Sequence, residues 1–160
     1  MGESSTQADV VALERLVLGV FWLNGFFLRA ADGLTAGSGL TTARWQVLRA
    51  VLHAPLTVAG AARSMGLTRQ SVQRVADALV AEGLCQYLPN PAHRRAKLLA
   101  PTERGVRAIQ DLGPRVTAWS EHVLDAVGAK TIRSANDSMQ TLLSALLDCQ
   151  AELLHDARGT

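Results

Sequence analysis

Gln70, Gln73 and Arg74 lie within the run TRQSVQRVADALVAEG, and their types and spacing suit the edges of base pairs. A Gln amide can pair with adenine N6 and N7 and an Arg guanidinium with guanine O6 and N7, each good pair being worth roughly 1–3 kcal/mol of discrimination. Beside them, Thr68, Arg69 and Ser71 open the same run, where side chains and free backbone N–H groups can hold phosphates. Farther on, His93, Arg94, Arg95 and Lys97 make a basic run in a turn-rich loop. Arginine is favoured in a narrow minor groove, where the potential is most negative. Taken singly, each group has a plainer reading, a solvated polar face or an ordinary basic hairpin. The order of the elements that carry them decides between the readings.

Across residues 68–83, Val72, Val75, Ala76, Leu79 and Val80 recur at helical spacing, with Gln70, Gln73, Arg74 and Asp77 on the opposite face. Thr68 suits the N-cap, and Ser71 three residues later is not the Glu or Gln of a capping box. Gly83 suits a left-handed C′ position from which Leu84 folds back on Leu79, as in a Schellman ending. Upstream, residues 57–65 place Val58, Ala61, Ala62 and Met65 on one face, and Met65-Gly66-Leu67 supplies the short Gly-containing connection of a helix-turn-helix. Downstream, residues 85–88 and 96–99 are alternating segments around the loop that bears the arginines, which predicts a hairpin.

In order and spacing, LTTARWQVLRAV, TVAGAARSMGLTRQSVQRVADALVAEGL, NPAHRRAKLL and TERG resemble the MarR family of bacterial transcriptional regulators. The resemblance implies a homodimer of winged helix-turn-helix protomers, usually a repressor, released by a small ligand or by oxidation. Two departures stand out: His93 where the family's wing usually carries Asp before the two arginines, and Pro101-Thr102 where the closing strand usually reads Leu-Thr.

The rest of the chain fits around that head. Its 160 residues predict a single MarR-like domain over 1–160, mainly α with a small β-hairpin wing. Residues 40–101 would form the winged helix-turn-helix DNA-binding part, and residues 8–31 and 102–156 mainly N- and C-terminal dimerisation helices. Net charge is only +2, but residues 63–107 hold eight Lys or Arg against three Asp or Glu, a local +5 on the proposed reading head. Residues 1–7 read as a polar, frayed start, with Glu3 and no basic n-region of a signal peptide. In the helix expected over 8–31, the uncharged run 16–28 has 13 residues, short of the roughly 20 that span a bilayer. No membrane association and a cytoplasmic location are therefore expected. Residues 32–39 read as a Gly-rich break, and Gly113-Pro114 as a bend or interruption in the helix opened by Thr102. The last helix, over 131–155, carries Ile132, Met139, Leu142, Leu143, Leu146, Leu147, Leu153 and Leu154. Paired with the first helix and with a second copy, it would bury that stripe and set two recognition helices about 34–36 Å apart, the spacing of a pseudo-palindromic operator.

Trp22, Asn24, Phe26, Trp45 and Trp119 are candidates for an effector pocket, with core and interface packing as the plainer alternative. Cys85 and Cys149 read as small packing residues, with a redox-responsive regulator using either as the alternative. His53, His93, His122 and His155 are scattered, so no metal site and no cofactor are expected. No nucleophile–base arrangement or phosphate loop points to an enzyme, and His122 beside Glu121 reads as a solvated pair. A winged-helix protein-interaction module without specific DNA binding is the remaining alternative.

Overall fold

The computed structural model describes residues 6–156, with side chains as far as residue 149. Residues 1–5, including Glu3, lie outside it, as do the side chains of Leu153, Leu154 and His155. The element order is α1 (Gln7–Thr35), α2 (Thr42–Val51), β1 (Leu56–Thr57), α3 (Val58–Ser64), α4 (Arg69–Ala81), β2 (Cys85–Leu88), β3 (Leu98–Pro101), α5 (Glu103–Val127) and α6 (Ala129–Asp156). Two compact units divide the chain after Pro114.

In the first unit a three-stranded antiparallel sheet, ordered β1-β3-β2, backs the short helices. The expected hairpin is β2 with β3, but its second strand lies at Leu98–Pro101 rather than at 96–99, in the register Cys85↔Pro101 to Leu88↔Leu98. The two-residue β1, which pairs Leu56 with Leu99, is an addition to it. The core is built from Val47, Leu48 and Val51 of α2, Val72 and Leu79 of α4, Cys85, Leu99 and Leu112, all fully buried or nearly so. Small residues at Ala61, Ala62 and Ala76, also buried, let α2, α3 and α4 approach closely.

Three expectations are corrected. The first helix runs one turn past residue 31, to Thr35, whose hydroxyl donates to the Ala31 carbonyl at 2.9 Å. Gly37 and Gly39, at φ +73° and +80°, make the break instead. Gly113-Pro114 does not interrupt α5, which is continuous from Glu103 to Val127. A proline ring clashes with the Cβ of the preceding residue in a helix, and Gly113 has none. Lastly, Cys149 is exposed within the chain rather than packed, whereas Cys85 is buried.

The expected cap at Thr68 is present, and two more threonines cap in the same way. Thr41, Thr57 and Thr68 accept from Arg44, Gly60 and Ser71 N–H to open α2, α3 and α4. At the end of α4, Gly83 N–H donates to the Val80 carbonyl and Leu84 N–H to the Leu79 carbonyl, which is the Schellman pattern. In the second unit, Gly128 at φ +86° closes α5, and α6 starts directly after it.

Each unit leaves apolar surface uncovered. On α1, Leu13, Val17, Leu18, Phe21 and Trp22 are exposed, Trp22 at 76%. On α6, Met139, Leu142, Leu143, Leu146 and Leu147 are exposed. By length and composition alone, α1 would also pass for a membrane-crossing helix.

Candidate nucleic-acid interface

The exposed flank of α4 carries Arg69, Gln70 and Arg74, while Gln73 is half-buried. Two residues of the helix start are occupied with building it. The Thr68 hydroxyl accepts from Ser71 N–H at 3.2 Å, and the Ser71 hydroxyl donates to the Thr68 carbonyl at 2.9 Å.

Downstream of β2, the wing loop is held by its own polar groups. Asn90 Nδ2 donates to the Ala96 carbonyl at 2.9 Å and Asn90 Oδ1 accepts from Ala92 N–H at 3.0 Å. Successive turns follow, His93 N–H to the Asn90 carbonyl and Ala96 N–H to the His93 carbonyl. The loop is therefore shaped by Asn90, although His93 stands where the family usually has Asp. His93, Arg94, Arg95 and Lys97 are exposed.

Between α4 and the wing lies a cleft of about 360 Å³, lined by Thr57, Val58 and Ala59, by Arg69 and Gln73, by Tyr87, and by Arg95, Ala96 and Lys97. A second, open cleft along α4 is lined by Arg69, Gln70, Gln73, Arg74 and Asp77. Arg69, Gln73, Arg95 and Lys97 are thus brought together. Thr68, Ser71, His93 and Arg94 line neither cleft. The Arg44–Glu82 pair at 2.6 Å and the Arg107–Glu103 pair at 3.5 Å lie elsewhere, and among the described residues none of Arg69, Arg74, Arg94, Arg95 and Lys97 is in an ion pair. Five cations on adjoining surfaces give the field that a phosphate backbone requires.

The acid on this face, Asp77, is occupied. Tyr87 OH donates to its Oδ1 at 2.8 Å, Gln73 Nε2 donates to the same oxygen at 2.9 Å, and Nε2 also reaches Tyr87 OH at 2.8 Å. Burial, then the hydrogen bond to Asp77 and its negative charge, push the Tyr87 phenol up to about 12, so it stays a donor at neutral pH. Sequence reading placed Gln73 and Asp77 on the polar face and passed over Tyr87. Its signal was present: a lone tyrosine on a short strand, whose hydroxyl needs a partner once the ring packs.

The orientation of α4 is fixed at its far end. The Glu82, Gly83 and Leu84 carbonyls accept from Arg104 Nη1 (2.9 Å), the Thr102 hydroxyl (2.7 Å) and Thr102 N–H (3.0 Å) respectively, and Arg44 pairs with Glu82. The start of α5 thereby caps the end of α4.

Of the residues considered for an effector, Trp22, Asn24 and Phe26 are exposed on α1. Trp45 is half-buried with the Arg49 guanidinium 5.9 Å from its ring centroid, and Trp119 lies half-buried in the second unit. Neither cleft is lined by any of the five. Burial pushes the Cys85 thiol up to about 11, away from the reactive thiolate form.

A family model described as "MarR family" matches residues 38–96, which hold α2 through most of the wing. An uncharacterized protein of Mycobacterium tuberculosis, Rv2011c, is 41% identical over 134 residues, 84% of this chain and 94% of that protein. Among solved structures, CouR from Rhodococcus jostii RHA1 bound to p-coumaroyl-CoA is 25% identical, with a TM-score of 0.68 over 87% of this chain and 95% of that one. A mutant MarR from E. coli complexed with operator DNA shares the fold at 20% identity, TM-score 0.70, over 88% and 99% of the two chains. The helix-turn-helix, the wing and these likenesses agree: the chain belongs to the MarR family of winged helix-turn-helix transcription regulators.

Proposed function

We propose that this regulator is a homodimeric repressor that reads a pseudo-palindromic double-stranded operator, with α4 in the major groove and the wing in the adjacent minor groove. The observation that carries the reading is the shared cleft, in which Arg69 and Gln73 of α4 face Arg95 and Lys97 of the wing, with none of these cations in an ion pair among the described residues. In this assignment Gln70, Gln73 and Arg74 meet base edges, and Thr68, Arg69, Ser71, His93, Arg94, Arg95 and Lys97 meet the backbone or the minor groove. Residues 40–101 form the DNA-binding part, and residues 8–31 and 102–156 mainly the dimerisation part.

Support for dimerisation comes from the apolar surface on α1 and α6, which is far more than scattered exposed side chains amount to. The length of α1 would also serve a bilayer. Its uncharged run of 13 residues is bracketed by Arg15 and Arg29, and α6 exposes similar surface among Asp137, Asp148 and Arg133. A second copy covers both helices, so a cytoplasmic dimer is favoured. A small-molecule effector releases the operator by binding the DNA-competent and incompetent dimers unequally. The ligand named for CouR supports the existence of an effector, for which Trp22, Asn24, Phe26, Trp45 and Trp119 are the candidate lining.

The test is a gel shift with the promoter beside its own gene, run with Arg74→Ala and Arg95→Ala. Binding that is lost in both supports the assignment. Undiminished binding in both refutes it.

A further inference from the structure

We infer that Tyr87 and Asp77 are positioning residues that set which base edge Gln73 reads, an inference that rests on the DNA-binding reading above. Gln73 Nε2 lies 2.9 Å from Asp77 Oδ1 and 2.8 Å from Tyr87 OH, and the tyrosine hydroxyl itself lies 2.8 Å from Asp77 Oδ1. An ionised carboxylate only accepts hydrogen bonds, so chemistry fixes which end of the amide faces it. Nitrogen points inward and the carbonyl oxygen is held outward.

That oxygen has no protein hydrogen bond among the described residues, and Gln73 lines both clefts on the reading face. A free glutamine turns its amide over at little cost and presents donor or acceptor to suit the base. Here a turned amide would set its oxygen against the Asp77 carboxylate. Gln73 therefore offers an acceptor and selects a base with an exocyclic amino group in the major groove, adenine N6 or cytosine N4. Tyr87 belongs to β2, so the wing as well as the helix takes part in base selection.

The network also explains why Gln73 differs from Gln70. Gln70 is exposed and has no such anchor, so its amide turns to suit either edge. Only the Gln73 position carries the fixed polarity.

The test uses the full-length protein and its protected operator. Each base pair is substituted in turn, and the pair whose preference disappears in Gln73→Ala is the one that Gln73 reads. At that pair, replacing the base by its analogue without the exocyclic amino group should weaken wild-type binding by about tenfold, and Gln73→Ala hardly at all. Asp77→Asn frees the amide to turn, because an asparagine both donates and accepts. In it, and to a lesser degree in Tyr87→Phe, removal of the amino group should cost no more than about threefold, with preferences at the other pairs kept and non-specific DNA bound no more weakly than by wild type; losing the Asp77 charge raises that background affinity in Asp77→Asn alone.

Equal loss at every pair, or weakened non-specific binding, would mean that the network only supports the fold, and the inference falls. It falls too if wild type is indifferent to the amino group, or if Gln73→Ala changes no position. Sequence-selective binding that persists in any of these cases leaves the regulator reading intact. If the wild-type protein prefers no DNA sequence, both readings fall. Should Tyr87→Phe unfold, Asp77→Asn carries the decision alone.

Discussion

Gly105→Ala should be among the most damaging single-carbon additions to this protein. Gly105 is buried in the first turns of α5. A Cβ placed there would overlap the Leu84 carbonyl oxygen outright, at 3.1 Å from its carbon and 3.2 Å from Leu48 Cδ2. That same carbonyl accepts from Thr102 N–H at 3.0 Å and from the Thr102 hydroxyl at 3.3 Å, so the strand of contacts that ties α5 to the end of α4 cannot shift freely. Overpacking of a close-packed site costs about 1–3 kcal/mol, and separating the two elements loses at least one hydrogen bond worth about 1 kcal/mol. The better helix propensity of Ala offsets roughly 0.5–1 kcal/mol. The net expectation is about 2–3 kcal/mol of destabilisation. Urea unfolding at fixed protomer concentration reads this as a midpoint lowered by about 1 M. Gly33→Ala is the control: Gly33 is within α1 and a Cβ there meets nothing within 4 Å, so the midpoint should rise slightly. A Gly105→Ala protein as stable as wild type would show that the α4–α5 junction is looser than the structure describes, and the account of how α4 is aimed would fail with it.

Four further outcomes are expected. Operator affinity should fall steeply with salt, and Lys97→Ala should lower the slope of log affinity against log salt by about one, measured by fluorescence anisotropy. Leu146→Lys, on the exposed apolar stripe of α6, should shift sedimentation toward the monomer and weaken operator binding together; an unchanged dimer would remove α6 from the interface. In the native protein at pH 8, a thiol-directed reagent should spare the buried Cys85, which becomes labelled only on unfolding, as read by peptide mass. Stability should decline in alkali. Cys85 and Tyr87 are raised in the fold, from 9.0 to about 11 and from 10.0 to about 12, so the unfolded chain loses these protons first. Their contribution is complete below pH 9 and disappears as pH rises through the folded values, and Cys85→Ser should flatten the early part of that decline in a pH series of urea melts.

The local grammar of the head was legible before any coordinates. Thr68, Gly83 and Thr102 announce their caps because a cap requires a particular residue type at a particular place, and the structure puts a hydrogen bond at each. The hydrophobic stripe of α4 was likewise plain from spacing, with Val72, Ala76 and Leu79 buried as expected. What escaped was relational. Nothing in LT at 56–57 marks a strand, since β1 exists only because Leu99 lies beside it. The lone Tyr87 on a short strand signals a hydroxyl that needs a partner, but nothing in QYL says that the partner is Asp77, ten residues earlier in sequence. The end of α1 is displaced because Asp32 and Gly33 look like a break, whereas Gly33 takes the helical conformation and the positive-φ glycines come later, at Gly37 and Gly39.

These relations share one consequence. A recognition helix of 13 residues is too short to hold its direction by itself, and isolated helices of that length are marginal in water. Here it is constrained at three places by groups from elsewhere in the sequence: the Ala-rich contact with α3 beneath it, the α5 start and Arg44 at its far end, and Tyr87 of the wing on its reading face. Each constraint joins α4 to a different neighbour, so a shift of any one of them changes where Gln70, Gln73 and Arg74 point. A base contact tolerates only a fraction of an ångström, because hydrogen bonds weaken steeply with distance and angle. On the proposed reading, an effector need not touch the reading face: a displacement of α2 at Arg44, or of α5 at Thr102 and Arg104, would move the end of α4 that these groups hold. The junction at Gly105 is then where Arg44→Ala or Thr102→Ala should weaken operator binding without removing any group from the reading face.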